Sequence, residues 1–86
     1  MRLVFDPHAL DDLQYWTRVD KRKAIKILDL VDNALSMPFS GTGKPEPLKH
    51  EYTGAWSRRI DQEHRLVYKA INDELIILSC RYHYKK

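Results

Sequence analysis

Cysteine occurs once, at Cys80. No internal disulfide can form, so the fold must rest on its core, and a reducing compartment, the cytoplasm, is expected. Long apolar runs are missing as well. The opening Met1-Arg2-Leu3-Val4-Phe5-Asp6 is too short for a signal peptide, and no later stretch approaches a membrane span, so no membrane association is expected. There is no internal repeat, low-complexity tract or interdomain linker. Histidines 8, 50, 64 and 83 lack ligand spacing. Cys80 and His83, three apart on an expected strand, point to opposite faces, so neither a metal nor another cofactor is expected. Gly41-Thr42-Gly43-Lys44 fails the spacing of a phosphate loop, is followed by Pro45 and has no strand leading in, which excludes nucleotide binding.

What remains is enough for a folded domain. With 86 residues, 43% of them hydrophobic and 31% charged, the chain is expected to form one unit spanning 1–86. The net charge of +3 is unevenly placed. Residues 1–43 carry six Lys and Arg against six Asp and Glu, whereas residues 44–86 carry nine against six. A basic C-terminal half suits a polyanion such as RNA, although the same excess also serves solubility.

Arg2 to Phe5 reads as a short strand. Asp6 then caps a helix with Pro7 at its first position and Leu10, Leu13 and Trp16 or Thr17 at helical spacing. Asp20 caps a second helix, whose Ala24, Ile27, Leu28, Val31 and Leu35 make an apolar stripe opposite Lys23, Lys26 and Asp29. The cluster Lys21-Arg22-Lys23 reads first as a solvated face and second as a nucleic-acid contact. Pro38, Gly41, Gly43, Pro45 and Pro47 make Met37 to Leu48 a loop without regular structure. Strands are expected at Ala55 to Ile60, Arg65 to Ile71 and Leu75 to Tyr84, as an antiparallel meander. The predicted class is α+β: a twisted, mainly antiparallel sheet with an N-terminal helical hairpin on one face.

The C-terminal half also gathers the chemistry. Alternation puts Arg65, Val67 and Lys69 on one face of their strand and His64, Leu66, Tyr68 and Ala70 on the other. Cleavage of RNA through its own 2′-hydroxyl needs a base, cations on the phosphorane and an acid for the departing oxygen. Glu46 suits the base, His83 the acid, and Arg65 the cation, with Lys49 and Arg59 in support. Tyr82 or Tyr84 can stack on a base. Each residue also has a bland reading: Glu46 as a solvated loop charge, Arg65 as an ion-pair partner of Glu63 or Glu74, Trp16 and Trp56 as core or interface aromatics.

The runs PFSGTGKPEPLKH, WSRRI, EHRLVY and CRYHY, in this order, together with DDLQYW, resemble the Txe/YoeB family of bacterial toxins, within the RelE-like superfamily. That resemblance covers the whole chain. It implies a toxin of a toxin-antitoxin system, a metal-independent endoribonuclease that cuts messenger RNA in the ribosomal A site. It also implies roles: Glu46 as general base, His83 as general acid, Arg65 at the phosphate, Tyr84 in the site. Lys49 and Arg59, with Lys44 and Arg81, are the RNA-binding cations. The implied partners are a Phd/YefM-type antitoxin, the 70S ribosome with its messenger, operator DNA only through the antitoxin complex, and a second copy in a homodimer. Two other readings stay open: a module that occludes a ribosomal or RNA site without chemistry, and an enzyme for a small anionic substrate.

Overall fold

The computed structural model describes residues 1–82. The site residues His83 and Tyr84, and the terminal Lys85 and Lys86, lie outside the described residues. Strand β1 (Arg2–Phe5) leads into helix α1 (Pro7–Val19), which a single residue separates from helix α2 (Lys21–Ser36). Strands β2 (Glu46–Pro47), β3 (Trp56–Arg59), β4 (Arg65–Ile71) and β5 (Glu74–Ser79) follow, with one 3₁₀ turn at His50–Tyr52. The sheet order is β1-β5-β4-β3-β2. The β1/β5 pairing is parallel and the other three are antiparallel. The expected α+β class and meander therefore stand.

The hairpin turns on Asp20. Its backbone N–H closes α1 on the Trp16 carbonyl at 2.9 Å, while its Oδ1 accepts from the Arg22 N–H at 3.1 Å and starts α2. Asp6 caps α1 in the same way, accepting from the His8 N–H at 2.9 Å, with Pro7 where its missing N–H is harmless. Both helices cover one face of the sheet. Ala9 and Trp16 of α1 and Ala24, Ile27, Leu30, Val31 and Ala34 of α2 pack on Leu66, Tyr68, Leu75 and Ile77. Trp16 is thus a core residue, and Trp56 packs at the edge of the same cluster. No helix among the described residues is long and apolar enough to cross a membrane.

Four expectations need correction. The buried stripe of α2 is turned from the predicted one: Leu28 is exposed, and Leu30 and Ala34 take its place; in α1 Leu10 is exposed and Ala9 buried. The 37–48 segment is not wholly irregular, because Glu46–Pro47 pairs with β3 as the sheet's edge, where a residue without an N–H is tolerated. The last strand ends at Ser79, not Tyr84, because α1 captures the chain beyond it. Asp12 Oδ2 accepts from the Cys80 N–H at 3.0 Å and Trp16 Nε1 donates to the Cys80 carbonyl at 2.9 Å. Last, Lys23 of the basic cluster is committed to Asp61 at 2.9 Å rather than merely solvated.

That pair has a measurable consequence. Burial alone raises the Asp61 carboxyl, but the Lys23 ammonium and the N–H groups of His64 and Glu63, at 2.6 and 2.8 Å, outweigh it and hold the group at about 2. The unfolded chain takes up that proton near pH 4, so the stabilisation is complete above about pH 4 and fades as the pH falls towards 2. Allowing for screening at this partly exposed pair, it amounts to roughly 1 to 2 kcal/mol. Urea midpoints of Asp61→Asn should be lower than wild type at pH 7 and converge on it near pH 2. A difference that persists undiminished at pH 2 would contradict the assignment.

Candidate functional site

The face of the sheet away from the helices is defined by register. Residues directly opposite on antiparallel strands share a face, and residues two apart on one strand do so too. Glu46 lies opposite Ser57, Ser57 opposite Val67, and Arg59 opposite Arg65. Glu46, Arg59 and Arg65 therefore stand on one side, Glu46 and Arg59 as diagonal neighbours about 7 to 8 Å apart. The alternation expected for β4 holds. Val67 joins Leu48 and Ala55, flanked by Tyr52 and Leu78, in a small apolar floor on this face, while Leu66 and Tyr68 enter the helix-side core. A bulge between β4 and β5 at Val67/Tyr68 interrupts the ladder beside that floor.

The charged groups on this face, Lys44, Glu46, Lys49, Arg59 and Arg65, form no ion pairs among the described residues. The bland reading of Arg65 as a partner of Glu63 or Glu74 is therefore not what is found. Its Nη1 donates instead to the carbonyls of Asp61 and His64, at 2.7 and 3.0 Å, which pins the half-buried guanidinium at the β3–β4 turn. Glu46, Lys44, Lys49 and Arg59 are exposed. Two like charges directly opposite each other are unfavourable in a sheet, so the Arg59/Arg65 pair is a cost to folding that an anion would relieve.

The loop that carries Lys44 and Glu46 is built around Arg58, which points to the opposite side from Arg59 and is 0% exposed. All five guanidinium N–H donors find acceptors. Nε donates to the Tyr68 hydroxyl at 2.9 Å, Nη1 to Asn33 Oδ1 at 2.6 Å and the Thr42 carbonyl at 3.0 Å, and Nη2 to the carbonyls of Met37 and Ser40. Tyr68 passes the network on by donating to the Pro38 carbonyl at 2.7 Å. Burial raises the Tyr68 hydroxyl, against the lowering effect of Arg58, so it stays a donor. Gly43 closes the loop. Its φ of +80° and a Leu30 methyl 2.8 Å from where a Cβ would stand make any other residue strained there, and its carbonyl accepts from the Arg59 N–H at 2.7 Å.

A second device holds the C-terminal segment. After Cys80, whose buried thiol is pushed up to about 12 by burial and by Asp12, Arg81 stacks over Tyr15 at 3.5 Å and Tyr82 at 4.6 Å. The guanidinium faces of Arg81, expected to meet RNA, are thus largely taken by rings of this chain. Alternation cannot be used here, because Tyr82 has a φ of +64°. The Tyr82 N–H donates to His64 Nδ1 at 2.7 Å, and its carbonyl accepts from the Arg65 N–H at 3.1 Å. Arg58 and His64 were not singled out from the sequence. The usable signal was alternation, which puts both on the apolar side of their strands.

The family described as a YoeB-like toxin of bacterial type II toxin-antitoxin systems matches residues 5–84. Toxin YoeB of Escherichia coli strain K12 is 51% identical over 84 residues, which are 98% of this chain and the whole of that one. Among solved structures, the YoeB dimer from Staphylococcus aureus is 41% identical with a TM-score of 0.89, covering 98% of each chain. The YoeB-YefM complex from the same organism is 40% identical with a TM-score of 0.88, again covering 98% of each.

Proposed function

Because the chain belongs to the YoeB-like toxins of bacterial type II toxin-antitoxin systems, we propose that it is an endoribonuclease that cuts messenger RNA in the A site of the 70S ribosome and so stops translation. The observation that carries this reading is the placement of Arg59 directly opposite Arg65, with Glu46 on the same face and no ion pair on any of them among the described residues.

Glu46 takes the 2′-hydroxyl proton, the 2′-oxygen attacks the adjacent phosphorus, and His83 protonates the departing 5′-oxygen. A cyclic phosphate and a 5′-hydroxyl result. Arg65 offers its planar fork to the phosphorane, aided by Arg59 and Lys49, and no metal ion takes part. Lys44 contacts the RNA backbone, Arg81 does so by its N–H edge and not by the faces that Tyr15 and Tyr82 cover, and Tyr84 lies in the site. His83 follows Tyr82, the residue whose carbonyl meets the Arg65 N–H. The cations, without ion pairs among the described residues, need a polyanion to close the site, which the ribosome supplies, and ribosomes put the activity in the cytoplasm. Since relatives from Staphylococcus aureus assemble as a dimer and with YefM, the partners here are a second copy and a Phd/YefM-type antitoxin that folds over the charged face. Operator DNA is reached only through that complex.

The test maps messenger ends on ribosomes. Wild type should leave in-frame cuts, and Glu46→Gln or His83→Gln should lower cutting at least about a hundredfold. Blocked translation with intact messengers, dependent on Lys49 and Arg59 but not on His83, would replace catalysis with occlusion.

A further inference from the structure

His64 is a buried histidine with no role in the chemistry above. It sits at the start of β4, between Trp16, whose ring it meets edge-on at 4.8 Å, and Tyr82 at 5.6 Å. Its own N–H is fixed by Asp61 Oδ1 at 2.6 Å and its Nε2 faces Glu63 Oε1 at 3.5 Å. With Nε2 carrying the proton towards that carboxylate, Nδ1 is left as an acceptor, and the Tyr82 N–H fills it at 2.7 Å.

We propose that His64 is a positioning residue, whose Nδ1 fixes the backbone of Tyr82, the residue that precedes His83 in the chain, and thereby positions the general acid. This rests on His83 being the general acid. Two further observations support it. Tyr82 has a φ of +64°, a left-handed conformation that an aromatic residue adopts only when its surroundings impose it. The imposing contacts are on either side of that residue: His64 holds its N–H and the Arg65 N–H holds its carbonyl. The peptide groups before and after Tyr82 are thus both tied to the entry of β4, to consecutive residues 64 and 65. Asp12 and Trp16 of α1 grip the chain two residues earlier, at Cys80, and Arg81 meets the ring of Tyr82, whereas the Tyr82 N–H and carbonyl are held by residues 64 and 65.

The role predicts a particular kinetic signature. The cations on the sheet do not depend on His64 Nδ1, so binding should survive its loss, whereas an acid displaced by about 1 Å costs on the order of a hundredfold in turnover. In His64→Phe the ring packing against Trp16 is kept and the acceptor removed. In His64→Asn the amide Oδ1 stands where Nδ1 stood, two bonds from Cβ, and restores an acceptor.

Ribosome-dependent cleavage should show kcat down by about thirtyfold to a hundredfold in His64→Phe, with KM for ribosomes within about threefold of wild type. His64→Asn should recover to within about fivefold of wild-type kcat. A His64→Phe enzyme at wild-type kcat, or a His64→Asn enzyme no better than His64→Phe, overturns the proposal. Should His64→Phe fail to fold, ¹⁵N-labelled wild type decides. A through-hydrogen-bond coupling between Tyr82 N and His64 Nδ1 is expected, and its absence overturns the assignment. If wild type itself does not cut, the ribonuclease reading falls, and the coupling still tells whether His64 anchors Tyr82.

Discussion

Arg58→Ala should lower the stability of the protein by about 3 to 5 kcal/mol, the largest loss expected from any single substitution here. Its five donors hold one hydroxyl, one amide oxygen and three loop carbonyls, and no carboxylate is among the partners. Truncation leaves a cavity between α2 and β3 and strips the carbonyls of Met37, Ser40 and Thr42 of the guanidinium donors they hold. A domain this small loses about 4 to 8 °C of melting temperature per kcal/mol, so a fall of about 12 to 40 °C is expected by circular dichroism. Arg58→Lys should fall between, because a point charge with three donors cannot reach five acceptors spread around a plane. A further consequence separates this from a generic core defect. Segment 37–44 loses its anchor first, so limited proteolysis should cut there while the helical hairpin is still folded. If Arg58→Ala melts within about 3 °C of wild type, the network is an accessory to the fold and not its keystone.

Much of the fold could be read directly, and the reasons for success and failure are physical. Strand β4 was legible because its residues Arg65–Ile71 are rich in β-formers and bounded by polar turns, and the period of two then sorted Arg65 from His64. The helix starts were legible because Asp6 and Asp20 cap in the expected way. The buried face of α2 was misplaced because Ala34 contributes little apolar signal, yet its small size lets the sheet approach; Leu28, more apolar, is left outside. Strand β2 was invisible, since two residues with a proline carry no period. The end of β5 was misplaced because Cys80-Arg81-Tyr82 has strand-like composition and is bent away by hydrogen bonds from residues nearly seventy positions earlier. Long-range capture of that kind leaves no local trace.

The site divides in the same way. Its residue types and their order were legible, and the resemblance of linked motifs carried the roles. What the sequence could not supply was register: only the pairing of Glu46 with Ser57 and of Arg59 with Arg65 brings the three onto one face. The linkage of the motifs now has a mechanical sense. Asp12 and Trp16 of DDLQYW and His64 of EHRLVY grip the backbone at Cys80 and Tyr82 in CRYHY. Arg58 of WSRRI holds the carbonyls of Met37, Ser40 and Thr42, in and just before PFSGTGKPEPLKH.

Arg65→Gln should separate activity from stability, abolishing most of the first and leaving the second nearly unchanged. Removing one of two arginines placed face to face across β3 and β4 relieves repulsion of about 0.2 to 1 kcal/mol. Against this stand the two hydrogen bonds from Nη1 to the carbonyls of Asp61 and His64, each worth about 1 kcal/mol at most near a solvated turn. The two effects nearly cancel, and the melting temperature should stay within about 5 °C of wild type. Cleavage on ribosomes should fall about a thousandfold, the loss found when a donor to developing charge is removed, roughly 4 kcal/mol. Arg65→Lys should recover only part of it, since an ammonium cannot engage two phosphate oxygens in one plane. Arg59→Gln, further from the pinned turn, should also leave folding intact, and should reduce the slope of log affinity for single-stranded RNA against log salt by about 0.7. An Arg65→Gln protein that cuts at the wild-type rate would remove arginine from the transition state. One that loses several kcal/mol of stability would instead assign Arg65 to holding the β3–β4 turn. The distinction matters because Arg65 makes two hydrogen bonds at the turn and faces a like charge across the ladder, so only the two readouts together tell whether its main work, under the proposed function, is on a phosphate or on the turn.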